Sequence, residues 1–171
     1  MTNTEEKDTF SRPAIWDDVA KVVSLLREHK VEFILVGGYA LYAHNIMRTT
    51  IDIDIAVSPK PENSKRWILA LSKLPDKVAR ELLNEDDPFQ GDYQHALRIN
   101  DEFTIDIMPS VAGIPFEKLR QYTEIKEING IEIPVLDLVG LLKTKQTLRP
   151  KDQADALVIK EALMLLNKGL K

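Results

Sequence analysis

Thr50-Ile51-Asp52-Ile53-Asp54-Ile55-Ala56-Val57 alternates with a period of two, the signature of a β-strand. Ile51, Ile53, Ile55 and Val57 are expected on one face. Asp52 and Asp54 share the other, with Cα atoms about 6.5–7 Å apart at a rise of ~3.3 Å per residue. Aspartate is a poor strand former, and two of them in mid-strand run against local preference, as functional sites often do. The plain alternative is an amphipathic strand with a solvated acidic face. If water is partly excluded, two carboxylates so placed need a compensating charge, and a hard divalent cation with oxygen ligands supplies one.

The same alternation recurs in Phe103-Thr104-Ile105-Asp106-Ile107-Met108. Phe103, Ile105 and Ile107 make its apolar face, and Asp106 lies opposite. If the two strands are neighbours, three carboxylates converge. Three can hold two Mg²⁺ ions, which clamp the attacking and leaving oxygens of an in-line phosphoryl displacement. Asp106 could also serve as general base toward an incoming hydroxyl.

Upstream, Val31–Val36 reads as a short buried strand stopped by Gly37-Gly38. Such a turn suits a phosphate facing backbone amides, and equally a plain turn. Before it, Ile15, Val19, Val22 and Leu26 recur at helical spacing from a start at Ser11-Pro13 to about Lys30. Downstream, helices are expected over Asn63–Leu74 and Asp76–Leu83, split by Pro75. His95–Ile99 should pair with Phe103–Met108, and Glu85–Gly91 is an acidic loop. Gly113–Phe116 is loop, and Asn129-Gly130 marks a hairpin between Tyr122–Ile128 and Ile131–Val135. Asp137 to about Thr147 is helical. A last helix from Pro150 carries Ala154, Leu157, Val158, Ala162, Leu165 and Leu166 on one side. The order implies an α+β, layered α/β architecture: a mixed sheet of five or six strands with helices packed on it. Residues 1–12 are expected as a disordered tail and 13–171 as one domain.

Composition narrows the chemistry. The 171 residues contain no cysteine, which excludes thiol catalysis, disulfides and cysteine-ligated zinc. The net charge of −4 gives no global field toward nucleic acid. The N-terminus lacks the apolar run of a secretory signal, and no segment has the ~20 apolar residues of a membrane span. A cytoplasmic protein is expected, without membrane contact.

Taken together, Leu35-Val36-Gly37-Gly38-Tyr39-Ala40, His44, Arg48-Thr49-Thr50 and Asp52-Ile53-Asp54 resemble the DNA-polymerase-β-like nucleotidyltransferase superfamily. The likeness is greatest to its small bacterial branches, the AbiEii-type toxins and minimal nucleotidyltransferases. Leu141-Leu142-Lys143-Thr144-Lys145-Gln146, with Arg149-Pro150-Lys151-Asp152 and Asp155, resembles the lysine helix and Arg-x-Lys-Asp-x-x-Asp segment of that branch. The resemblance implies a nucleotidyltransferase fold and transfer of a nucleoside monophosphate from an NTP to a hydroxyl. It implies Mg²⁺, with Mn²⁺ as an alternative, on Asp52, Asp54 and Asp106. Gly37 and Gly38 would line the triphosphate, Arg48 and Lys145 would neutralise phosphate charge, and Lys151, Asp152 and Asp155 would organise the cleft wall. Lys143 and Lys145 cannot share a helix face, and Lys145 is taken as the functional one. Gly38 stands where the wider superfamily often has serine, and Asn45 where many relatives have glycine. The acceptor is open among tRNA, protein and small molecules, and a cognate antitoxin is a candidate partner. The rival reading is a catalytically silent binding protein that keeps the fold.

Overall fold

The computed structural model describes residues 11–91 and 94–169. In chain order the elements are α1 (Trp16–Glu28), β1 (Phe33–Val36), α2 (Gly37–Ala43), β2 (Ile53–Val57) and α3 (Pro61–Leu71), followed by a 3-10 helix (Val78–Asn84). Then come β3 (Leu97–Asn100), β4 (Thr104–Met108), the two-residue strands β5 (Ser110–Val111) and β6 (Ile114–Pro115), and α4 (Phe116–Leu119). The chain continues through β7 (Thr123–Ile128), β8 (Ile131–Leu136), α5 (Leu138–Thr144) and α6 (Pro150–Gly169).

Six strands form one mixed sheet in the order β3-β4-β2-β1-β8-β7, as the alternation and hairpin signals implied. β1 runs antiparallel to β2 and parallel to β8, while β2 and β4 are parallel. The three strands in the middle of the chemistry are apolar where they face helices. Ile53, Ile55, Val57, Ile105 and Ile107 are fully buried, as is Leu35, and each such side chain stabilises the fold by roughly 1.5–3 kcal/mol. α1 contributes Val19, Val22, Val23 and Leu26 and packs on α3, whose Trp67 and Leu71 are fully buried. Asn129 and Gly130 both have positive φ, 51° and 79°, the pairing a two-residue type I′ hairpin requires.

Several boundaries depart from expectation. α1 begins at Trp16 rather than beside Pro13, because Asp18 accepts the Ile15 N–H at 2.8 Å and thereby sets the first turn. Ser11 and Arg12, expected in the tail, are docked: Ser11 Oγ donates to the Asp101 carbonyl, and Arg12 bridges to Phe103 and grips Asp18 with two nitrogens at 2.6 and 2.8 Å. The rest of the expected tail, residues 1–10, lies outside the described residues. β2 begins at Ile53, so Asp52 sits at its entrance, and Ile51 is 56% exposed instead of sharing the apolar face. The helix expected over Asp76–Leu83 is a 3-10 helix entered through Lys77 at φ 54°. Asp101 holds its start by accepting the Asp76 and Val78 amides. Gly113–Phe116 is not all loop: a minute hairpin, β5-β6, turns through Ala112 and Gly113. α5 stops at Thr144.

The largest correction concerns α6. Its predicted inner face is its outer one: Leu157, Val158, Leu165 and Leu166 are 69, 47, 63 and 57% exposed. Ala156 and Ile159 face the body instead, with Asp152. The helix turns toward the molecule the side that carries its two aspartates, because those aspartates are held by cations of the site described below. Among the described residues no helix is long and apolar enough to cross a membrane.

Candidate active site

Register brings the chemistry into line. Asp54 on β2 is the partner of Asp106 on β4, and Asp106 is in turn the partner of Arg98 on β3. Val36, the last residue of β1, is the partner of Asp54. A row therefore runs across four strands as Arg98, Asp106, Asp54 and the start of the Gly37-Gly38 turn. Asp52, two residues before Asp54, projects to the same side.

The glycines permit this closeness. Gly37 has φ +69°, and a Cβ there would overlap Asp54 Oδ2. A Cβ on Gly38 would lie 2.6 Å from the Thr50 side chain. The pair lets the chain turn from β1 into α2 while lying flat against the carboxylate strand. Asn45 adopts φ 63°, a conformation asparagine tolerates better than most residues.

These residues open into a cavity of about 430 Å³. Its walls include Gly37, Gly38, Asp52, Asp54 and Asp106, together with Arg48, Arg98, Lys145, Arg149, Lys151 and Asp152. Of the ten residues expected at the site, nine line this one cavity, and Asp155 lies behind its wall against Arg48 and Lys145. A second cavity, about 540 Å³, has Arg27, Glu32, Arg120 and Glu132 in its wall. Four of its charges are paired with one another, Arg120 to Glu32 at 2.6 Å and Arg27 to Glu132 at 3.6 Å, and it presents no convergent reactive groups.

Two electrostatic clusters face each other across the site. On the sheet side, Arg98 donates Nε to Asp106 Oδ1 at 2.9 Å, and Nη2 to Asp106 Oδ2 at 3.1 Å and Asp52 Oδ2 at 3.2 Å. Asp54 receives none of these bonds. Its burial, and then the neighbouring charges of Asp106 and Asp52, push its pKa up to about 7, against the pull of Lys145 and Arg48. On the helical side, Lys145 Nζ lies 3.4 Å from Asp152 Oδ1 and 3.0 Å from Asp155 Oδ2. Arg48 Nη1 reaches the same Asp155 oxygen at 2.6 Å, so that oxygen sits between two cations. Thr147 Oγ1 donates to Asp152 at 2.6 Å. Burial alone would raise the Asp152 pKa, but the Thr147 hydroxyl and the Lys145 ammonium outweigh it and the net shift is downward.

Lys145 and Arg48 are thus committed to Asp152 and Asp155, while Arg149 and Lys151 stand exposed at the rim. Lys143 points elsewhere, over the Tyr122 ring at 5.2 Å, as expected for the partner on the wrong helix face. His44 bridges α2 to β8 through the Leu136 carbonyl at 2.9 Å, with Glu124 at 3.5 Å, and Tyr39 donates to the Ala14 carbonyl; both are packing residues outside the cavity. Arg98 was not anticipated. The signal was present: a hairpin about Asp101-Glu102 with Asp106 on one arm places Arg98 directly opposite.

Among the described residues no three carboxylate or imidazole groups converge closely enough to hold a metal ion as they stand. The expected ligand set shares one face but is not drawn around a common point, because Asp52 and Asp106 are turned to the guanidinium. The donor set still suits a hard divalent cation: three carboxylates, unrelieved buried charge at Asp54, and a guanidinium already standing in for a cation on two of them.

Two solved structures share the architecture. One, from Thermotoga maritima (TM1012) and named provisionally as a nucleotidyltransferase, superposes with a TM-score of 0.55 at 19% identity over 97% of this chain and 98% of its own. The other, the antibiotic-resistance factor ANT(2″)-Ia, gives 0.53 at 14% identity over 89% and 92%. At such identities the likeness is one of fold. No curated protein matches the chain. The model of the nucleotidyl transferase AbiEii toxin family, type IV toxin–antitoxin system, matches residues 24–149, which take in the glycine turn, all three carboxylates and Lys145; on that match the chain belongs to the AbiEii nucleotidyltransferase family.

Proposed function

We propose that the protein is a divalent-metal nucleotidyltransferase that moves a nucleoside monophosphate from an NTP to a hydroxyl acceptor. The observation that carries the reading is the row of Asp106 and Asp54 with Asp52 on the same face, beside a glycine turn that adds no side chain to the cavity. Five cationic side chains and four carboxylates line that cavity. An added triphosphate would leave it strongly negative, so the donor is accommodated only with its own cations.

Asp52, Asp54 and Asp106 would hold Mg²⁺, or Mn²⁺ in its place. When bound, the ion neutralises the charge that develops on the transferred phosphoryl group and the leaving pyrophosphate. The chain's own residues do the rest. Gly37 and Gly38 leave space for the phosphates against the backbone. Arg149 and Lys151 at the rim, with Arg48 and Lys145 behind them, supply the positive wall. In the transfer the acceptor oxygen forms a bond to the α-phosphorus, the bond to the β-phosphate bridging oxygen breaks, and pyrophosphate departs. Asp106 would take the hydroxyl proton. Asp152 and Asp155 hold Lys145 and Arg48 in position.

The acceptor is tRNA, a protein hydroxyl or a small molecule. The family's description as one half of a toxin–antitoxin system supports a cognate antitoxin as partner and a cytoplasmic site of action. Residues 13–171 act as a single domain in this reading.

The test is incubation with each α-labelled NTP, Mg²⁺ and total cell extract, beside an Asp52→Ala/Asp54→Ala control. Label on RNA, protein or a small molecule, absent in the control, is the expected result and identifies the acceptor class. Absence of transfer together with absence of Mg²⁺-dependent NTP binding by calorimetry would leave a silent fold.

A further inference from the structure

Arg98 uses the same oxygens a divalent ion would need. Its guanidinium takes both oxygens of Asp106 and one of Asp52. A guanidinium bonded to these oxygens occupies the lone pairs that an ion would need, and its charge repels the ion in a partly enclosed site. For an ion to sit on Asp52 and Asp106, Arg98 must leave them.

The fold gives it freedom to leave and limits where it can go. β3 is an edge strand of the sheet, and the Arg98 side chain is 58% exposed. The remaining lining carboxylates offer no partner: Asp54 lies deep beside Asp106, and Asp152 is occupied by Lys145 and Thr147. A phosphate group entering the cavity is an acceptor the guanidinium can grip with two parallel hydrogen bonds.

We infer that Arg98 is a phosphate-binding residue that shields Asp52 and Asp106 from metal until the triphosphate draws it away, so that nucleotide and ion load together. The inference rests on the nucleotidyltransferase reading above. It extends that reading by assigning a residue to the donor's phosphates and an order to loading. Because both ligands act through one guanidinium, the coupling is reciprocal: nucleotide strengthens metal binding, and metal strengthens nucleotide binding.

The test uses the full chain as wild type, Arg98→Gln and Arg98→Lys, each first shown to be folded by its circular dichroism melt. One arm titrates Mn²⁺ without nucleotide and reads the free ion by electron paramagnetic resonance. The other measures, by calorimetry at saturating Mg²⁺, the affinity for each of the four α,β-methylene nucleoside triphosphates. Arg98→Gln is expected to bind Mn²⁺ about tenfold more tightly than wild type and the analogue about tenfold more weakly. Arg98→Lys, which keeps the charge but cannot make two parallel hydrogen bonds, should fall between Arg98→Gln and wild type in both arms, and this intermediate shift carries the test if the glutamine variant does not fold.

The opposite signs separate this role from a merely structural one, which would weaken both. Equal or weaker Mn²⁺ binding by Arg98→Gln overturns the shielding, and an unchanged analogue affinity overturns the phosphate contact. If neither wild type nor variant binds Mn²⁺ or any analogue, the nucleotidyltransferase reading itself falls, and the assignment of Arg98 with it.

Discussion

Asp54 is the residue on which the site's charge is concentrated. Its folded pKa, about 7, exceeds the value near 4 of an unfolded aspartate. Between those values the folded state binds the extra proton, so stability falls as pH rises from about 4 to about 7 and is level above. With chelator present, Asp54→Asn should remove that slope, and its advantage over wild type should grow to as much as about 4 kcal/mol by pH 8. Urea unfolding midpoints at pH 5 and pH 8 measure it; parallel shifts in both proteins would contradict the assigned cause. Gly37 makes a second residue-scale prediction. Gly37→Ala forces φ +69° on an L side chain, at about 1–2 kcal/mol, and drives its Cβ into the Asp54 carboxylate. The variant should lose nucleotide binding by more than about tenfold in calorimetry while its far-ultraviolet dichroism stays unchanged, because the displaced group belongs to the site. Both residues were visible in the sequence, one by alternation and the other as half of the glycine pair that stops a strand. Their contact was not, since it depends on β1 and β2 pairing so that Val36 meets Asp54.

At the scale of elements, α6 shows where periodicity misleads. Its apolar spacing predicts a core face, yet Leu157 and Leu165 are exposed while Ile159 is fully buried. A helix periodic in two directions is oriented by whichever side makes the stronger anchor, and here Asp152 and Asp155 are tied to Lys145 and Arg48. Ile159→Ala should therefore cost about 2–5 kcal/mol and Leu165→Ala within about 0.5 kcal/mol, read from denaturant midpoints. Equal losses would return the helix to its predicted orientation. α5 obeys its local signal: Asp137 caps it by accepting the Gly140 amide at 2.7 Å, and Asp137→Ala should cost about 1 kcal/mol. The strands were legible wherever alternation was clean. The 3-10 helix was less so, because its start is held by Asp101, twenty-three residues beyond Val78.

On the scale of the whole molecule, the cavity is built from segments that meet only in three dimensions: the turn after β1, the approach to β2, the β3-β4 hairpin and the α5-α6 junction. Asp155 joins two of them by holding Arg48 and Lys145 at once. Lys145→Ala removes the ammonium from Asp152, which keeps its Thr147 hydrogen bond, and one of the two cations from Asp155; in a largely buried cluster this should destabilise by about 3–5 kcal/mol. In an Asp152→Asn/Asp155→Asn background the same substitution should cost far less. Thermal or denaturant unfolding of the four proteins gives the coupling, and additive effects would mean that the cluster does not act as a unit. What the sequence determined by itself was carried by short-range pattern: strands from period two, the hairpin from Asn129-Gly130, Asp52 and Asp54 as residues set against local preference, and Asp106 from the same alternation. Only the tertiary structure decided the strand order that aligns Asp54, Asp106 and Arg98, the side of α6 that faces inward, and the guanidinium resting on two of the carboxylates. The physical reason is that register and charge pairing arise between segments tens of residues apart, where no local periodicity records which side chains will meet.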